Sequence, residues 1–152
     1  MASLLHQVAA RNPESGLWNV IVDTPTGSRH KYKYDDRDGL WRLSKVLPLG
    51  ASFPFDFGFV PSTRGEDGDP LDVLVLLDEP AFPGCIVPAR LIGILEAEQT
   101  QKGKTVRNDR FVAVIETPYN PPAFHTLDAM HPQALADIEQ FFSSYKADSS
   151  GP

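Results

Sequence analysis

Asp67-Gly68-Asp69-Pro70-Leu71-Asp72-Val73, continued without a break by Leu74-Val75-Leu76-Leu77, is the stretch around which the chain is organised. An apolar run of that length and branching marks an interior strand. Asp72 therefore stands at the mouth of a buried strand, with Asp67 and Asp69 on the Gly- and Pro-shaped loop that feeds it. Like charges crowded into a partly desolvated place repel, and some protonate unless a cation intervenes. A hard cation such as Mg²⁺ takes carboxylate oxygens and keeps several waters, which suits this cluster. A solvated acidic turn is the competing reading of the segment by itself. An EF-hand is excluded: with Asp67 as first position, the sixth is Asp72 where Gly is needed, and the twelfth is Asp78.

On either side the chain breaks into short pieces. Residues 17–23, 29–35 and 40–47 have strand character, and turn chemistry at 24–28 and 36–39 joins them, which predicts an opening meander. Residues 53–60 are aromatic and interrupted by Pro54 and Gly58. Further strands are expected at 71–77, 86–97 and 110–116, with 98–109 a polar connection. Pro132 suits a first helical position, and Leu135, Ile138, Phe141, Phe142 and Tyr145 then recur at helical spacing. Short strands first and a helix last predict a mainly β (α+β) domain, a small barrel with a C-terminal flanking helix. One domain is expected over 1–152, with 1–16 an N-terminal extension and 147–152 a disordered tail.

Composition narrows the partners. The 152 residues are 41% hydrophobic and 22% charged, enough to build a core. A formal net charge of −6 argues against nucleic acid or an anionic membrane as partner, so local cations or metal must draw in any anionic substrate. Cys85 stands alone, which excludes an internal disulfide and suits a reducing compartment. The first sixteen residues lack a basic n-region and a sustained apolar h-region, so a cytoplasmic location is expected.

Several motifs carry no chemistry. Gly103-Lys104-Thr105 resembles the end of a phosphate-binding loop, but the required earlier Gly is Glu98. His6, His30, His125 and His131 have no zinc spacing with one another or with Cys85, and no Gly-x-Ser-x-Gly elbow is present. Lys31 and Lys33 fall on one face of an expected strand, with Tyr32 and Tyr34 on the other. That cationic face could hold phosphate or simply be solvated.

Taken in order, Asp23-Thr24-Pro25 before Lys31-Tyr32, Phe53-Pro54, Phe57-Gly58-Phe59-Val60 and the heptad 67–73 resemble the family I soluble inorganic pyrophosphatases of bacterial type. Pro83-Gly84, Gly93, Phe111-Val112-Ala113-Val114 and the closing Tyr145-Lys146 pair keep the family's spacing, so the resemblance spans about residues 17–146. It implies a five-stranded OB-type barrel with an extra hairpin, enclosing a Mg²⁺ site, with Mn²⁺ a possible substitute. It also implies hydrolysis of inorganic pyrophosphate to two phosphates, and a homo-oligomer, a hexamer by analogy.

The resemblance assigns roles residue by residue. Asp67 and Asp72 become metal ligands, and Asp69 both a ligand and the group that deprotonates the attacking water. Asp23, in place of a family Glu, and Asn108 complete the candidate ligands. Lys31, Lys45, Arg110, Tyr145 and Lys146 become phosphate contacts. The departures are specific: Lys45 stands where an Arg is usual, Phe57 where a Tyr is, and Arg110 where a Lys is. Lys33 replaces an acid, and Gln99 and Asn108 replace two metal-binding aspartates. The chain also stops soon after Lys146, where relatives run on for a further segment. A hydrolase of another phosphoanhydride or phosphate ester stays open as an alternative, as does a phosphate- or nucleotide-binding barrel without turnover.

Overall fold

The computed structural model describes residues 3–96, 98–101 and 103–149. Five strands close a barrel: β1 (Trp18–Thr24), β4 (Asp56–Val60), β5 (Leu71–Leu76), β9 (Arg110–Ile115) and β6 (Ile86–Leu95), in that order around the wall. All neighbours are antiparallel except β5 and β9, which run parallel. Two hairpins stand apart as two-stranded sheets, β2 (His30–Asp35) with β3 (Leu40–Val46) and β7 (Glu98–Gln101) with β8 (Lys104–Arg107).

The barrel follows from alternation. Val20, Val22, Val60, Val73, Val75, Val87, Ala89 and Ala113, from all five strands, pack into one buried cluster. Small branched side chains fill a lumen of this size. Gly58 lies mid-strand for a related reason: a Cβ there would stand 2.4 Å from the carbonyl oxygen of Ile21 on β1. The opposite strand faces supply Phe57, Leu74, Ile92, Val112 and Val114 to a second cluster. Helix α2 (Pro132–Ser149) covers it with Ile138 and Phe142, and Phe141 and Tyr145 pack alongside. Asp56, fully buried at the start of β4, accepts from Thr26 N (2.8 Å), Thr26 Oγ1 (2.6 Å) and Ala81 N (2.8 Å), tying two loops to the strand.

Three expectations need correction. The opening strands form no continuous meander: β1 is buried along most of its length and pairs with β4 and β6, leaving β2–β3 as a separate hairpin. The Thr24 hydroxyl links that hairpin to the barrel by accepting from Tyr32 N at 3.0 Å. The polar connection at 98–109 is the β7–β8 hairpin. Gly103, at φ +78, makes its turn, so the sequence like a phosphate loop is only the return arm. The supposed tail from 147 remains helical through Ser149, because no Gly or Pro interrupts it there; residues 150–152 lie outside those described.

The N-terminal extension is tied down as well. A helical turn α1 (Leu4–Gln7) is capped by Ser3, whose Oγ accepts from Leu5 N at 3.0 Å. Ser62 grips the segment at two points, its N–H donating to Leu5 O (2.6 Å) and its Oγ to Val8 O (2.7 Å). Ser62 adopts a left-handed φ of +58 to do so, a conformation that costs a non-Gly residue on the order of 1–3 kcal/mol. No helix among the described residues is long and apolar enough to cross a membrane.

Candidate active site

Two strand irregularities aim the first pair of site residues. β1 slips register between Val22 and Thr24, and β2 slips between Lys31 and Tyr32. Such bulges redirect side chains, and here they bring Asp23 and Lys31 together. Lys31 Nζ donates to Asp23 Oδ1 at 2.8 Å and to Tyr32 O at 3.0 Å, and lies 4.3 Å from the Phe57 ring centre. Asp23 and Lys31 are only 5% and 8% exposed. Burial pushes the Asp23 carboxyl upward against the pull of Lys31. The bulge also breaks the expected segregation of lysines from tyrosines, since Lys31, Lys33 and Tyr34 all line the same cleft.

The acidic loop is shaped by its own backbone. Asp67 Oδ1 accepts from Asp69 N at 3.1 Å, and Gly65 N donates to Asp69 O at 2.7 Å. Asp69 is left exposed at the rim, while Asp67 is half-buried. Asp72, second residue of β5, lies deeper. Desolvation lifts its carboxyl to about 6; Arg110 and Lys31 pull it down, and Asp23 and Asp67 push it up.

These groups share one cleft of about 350 Å³ at the barrel mouth. Asp23, Asp67, Asp69, Asp72 and Asn108 line it, as do Lys31, Arg110 and Tyr145. Parallel pairing sets Asp72 directly beside Arg110. Burial raises the Tyr145 phenol, reinforced by Asp23 and Asp72 and opposed by Arg110, so its O–H remains a donor. Lys45 is not part of the lining; its Nζ sits 4.4 Å from the Tyr145 ring centre and 3.5 Å from Tyr145 O. The side chains of Lys146 and Gln99 lie outside those described. Asp109 pairs with Arg107 at 3.1 Å and lines an adjoining cavity with Asp67, Asp72 and Asn108.

The donor set suits a hard cation, being carboxylate oxygens with one carboxyl already burdened by its neighbours. Among the described residues no three His, Cys, Asp or Glu side chains converge as a cage by themselves. That departs from a picture of Asp67, Asp69 and Asp72 closing on one point, because Asp67 is engaged with the loop backbone and Asp69 stands at the rim. Mg²⁺ needs only one or two carboxylates beside waters and phosphate oxygens, so the set still fits it.

Asp36 and Ser44, from the β2–β3 hairpin, line the cleft and escape sequence reasoning, as do two apolar residues. Leu5 lines the cleft from the N-terminal segment, which no periodicity connects to the acidic loop. Phe142 presents its ring to Arg110, although its helical spacing marks it only as a core residue.

Carboxylates interleaved with cations and a phenol in one small cleft suit metal-assisted chemistry on a compact phosphorylated anion. Comparison with known proteins agrees. A family model described as inorganic pyrophosphatase matches residues 20–152. An inorganic pyrophosphatase of Streptomyces coelicolor is 40% identical over 131 residues, covering 85% of this chain and 77% of its own. One from Synechocystis is 37% identical over 137 residues, covering 88% and 77%. The crystal structure of the Thermus thermophilus inorganic pyrophosphatase superposes with a TM-score of 0.84 at 32% identity, covering 96% of this chain and 81% of that one. The Neisseria gonorrhoeae inorganic pyrophosphatase gives 0.84 at 28% identity, covering 98% and 84%. The chain belongs to the inorganic pyrophosphatase family.

Proposed function

We infer that the protein hydrolyses inorganic pyrophosphate to two phosphates with Mg²⁺, for which Mn²⁺ can substitute. The observation that carries this is the single cleft joining the acidic loop to Lys31, Arg110 and Tyr145 in a barrel of this family. Asp67 and Asp72 hold the metal, with Asp23 and Asn108 as further oxygen donors. A bound Mg²⁺ would supply charge neutralisation and acidify the attacking water. Asp69, exposed and ionisable at the rim, accepts that water's proton. Lys31, Arg110 and the Tyr145 hydroxyl orient the phosphates, and the family resemblance adds Lys45 and Lys146 as phosphate contacts.

The assembly is a homo-oligomer, a hexamer by analogy. Exposed Leu43, Val46, Leu49, Phe82 and Ile86 supply apolar surface for self-association, and sedimentation velocity tests it. A cytoplasmic location accords with the lone Cys85. Lys33 and Asn108 within the lining favour a second reading, a hydrolase of another phosphoanhydride or phosphate ester. Phosphate release from pyrophosphate, ATP and simple phosphate esters, each with Mg²⁺ and with chelator, separates the two. Strong preference for pyrophosphate supports the first, while preference for ATP or an ester overturns it. No release from any substrate would leave a binding barrel.

A further inference from the structure

Arg110 is a buried cation that no carboxylate contacts directly among the described residues. It is 6% exposed, its Nε has no acceptor, and its Nη1 donates only to the backbone oxygen of Asn108 at 3.1 Å. It forms no salt bridge among the described residues. A desolvated charge left like this is costly. Carboxylates nevertheless stand on both sides of it. Asp72 shares the active-site cleft, while Glu96 and Glu139 line a second cavity of about 410 Å³ to which Arg110 also contributes.

An aromatic face lies where a carboxylate is missing. The guanidinium carbon is 4.8 Å from the centre of the Phe142 ring. Phe142 is 7% exposed and cannot easily turn, being stacked on Phe55 (5.4 Å, 18°) and edge-on to Phe141 and Tyr145. Lys31 and Lys45 also rest on rings of this cluster, but Lys31 has Asp23 as well. Arg110 depends most on its ring. A ring attracts the flat face of a guanidinium and leaves its in-plane N–H edges available. A carboxylate would consume those edges in a bidentate pair.

We propose that Phe142 is a positioning residue that holds Arg110 unpaired at the cleft, so that phosphate oxygens of the substrate supply its counter-ion. The proposal rests on the pyrophosphatase reading for its substrate. Without the ring, the guanidinium turns toward Asp72 or Glu139 and its donors are spent before an anion arrives.

The test is to replace Phe142 with phenylalanine carrying one, two or three ring fluorines, which keeps the shape and drains the negative face. Affinity for inorganic phosphate is read by calorimetry, and KM and kcat for pyrophosphate are measured beside it. Stepwise weakening of phosphate binding is expected, reaching about tenfold at three fluorines. KM should rise more than kcat falls, and Tm should stay constant. Phe142→Leu should bind phosphate at least as weakly. Phosphate affinity that is flat across the fluorinated series would overturn the proposal, even if Phe142→Leu lowers stability, since the ring would then serve packing alone. A fluorine-sensitive phosphate affinity in a protein that does not turn over pyrophosphate would instead fail the activity and leave the role of Phe142 standing.

Discussion

Three carboxylates of the cleft come from one continuous segment, residues 67–72, with Asp23 and Asp36 added from β1 and the β2–β3 turn, whereas its cations and phenol are gathered from β2, β9 and α2. Within that segment Asp67 and Asp69 are arranged by hydrogen bonds spanning only a few residues. The cations are held by tertiary contacts, Lys31 by Asp23 and the Phe57 ring and Arg110 by the Phe142 ring. Local chain geometry thus arranges the acidic loop, and tertiary packing places the cations. A substitution in the first should therefore remove chemistry and spare the fold, while one in the second should disturb both.

The largest effect is expected at Asp69. Asp69→Asn keeps the shape and removes the proton acceptor, so turnover should fall by roughly 10²- to 10⁴-fold with an unchanged melting curve. Near-normal phosphate release would transfer the role to Asp67 or Asp72 and break the division of labour.

Lys31→Met attacks the cations. It strands Asp23, a buried carboxylate, and breaking such a pair costs about 3–5 kcal/mol. Chemical denaturation near neutral pH should show that loss, shrinking in acid where Asp23 takes up a proton. A loss that does not change with pH would mean that Asp23 finds another partner.

The acidic side should reveal itself in the pH dependence of the metal-free protein. Asp72 is raised from 3.8 to about 6 on folding, so between those values the folded state holds a proton that the unfolded chain has released. Stability should accordingly fall as pH rises from about 4 to about 6, by about 3 kcal/mol at two pK units. Mg²⁺ binds the ionised carboxylate, so it should raise Tm more at about pH 7.5 than at about pH 5. A Mg²⁺ response equal at both pH values would detach Asp72 from the metal.

The smallest effect concerns the departures from the family pattern. Asn108→Asp with Lys33→Glu adds anionic ligands within the cleft and should tighten Mg²⁺ on the order of tenfold by calorimetry. Unchanged affinity and stoichiometry would show that these positions lie outside the metal's reach.

How much the sequence disclosed follows the same divide. The heptad 67–73 announces itself because its carboxylates adjoin an apolar run, and the barrel is visible in short alternating strands ahead of one amphipathic helix. The two bulges that join Asp23 to Lys31 leave no mark, since an inserted residue alters phase without altering composition. The β7–β8 hairpin was hidden because both of its strands are polar and its turn rests on Gly103 alone. Leu5 and Phe142 were missed because an apolar residue gives no chemical signal until its neighbour is known.

The parallel pairing of β5 with β9 bears on the order of events during refolding. Asp72 and Arg110 become neighbours only after the intervening β6 and both strands of the β7–β8 hairpin have found their places. Such distant pairings carry a large loop-closure cost and form slowly. Trp41, on the β2–β3 hairpin, reports an earlier and more local step, and in a Trp18→Phe variant it is the sole tryptophan. Recovery of catalytic competence should therefore lag behind the tryptophan signal, making enzymatic activity a clock for the moment the barrel seals.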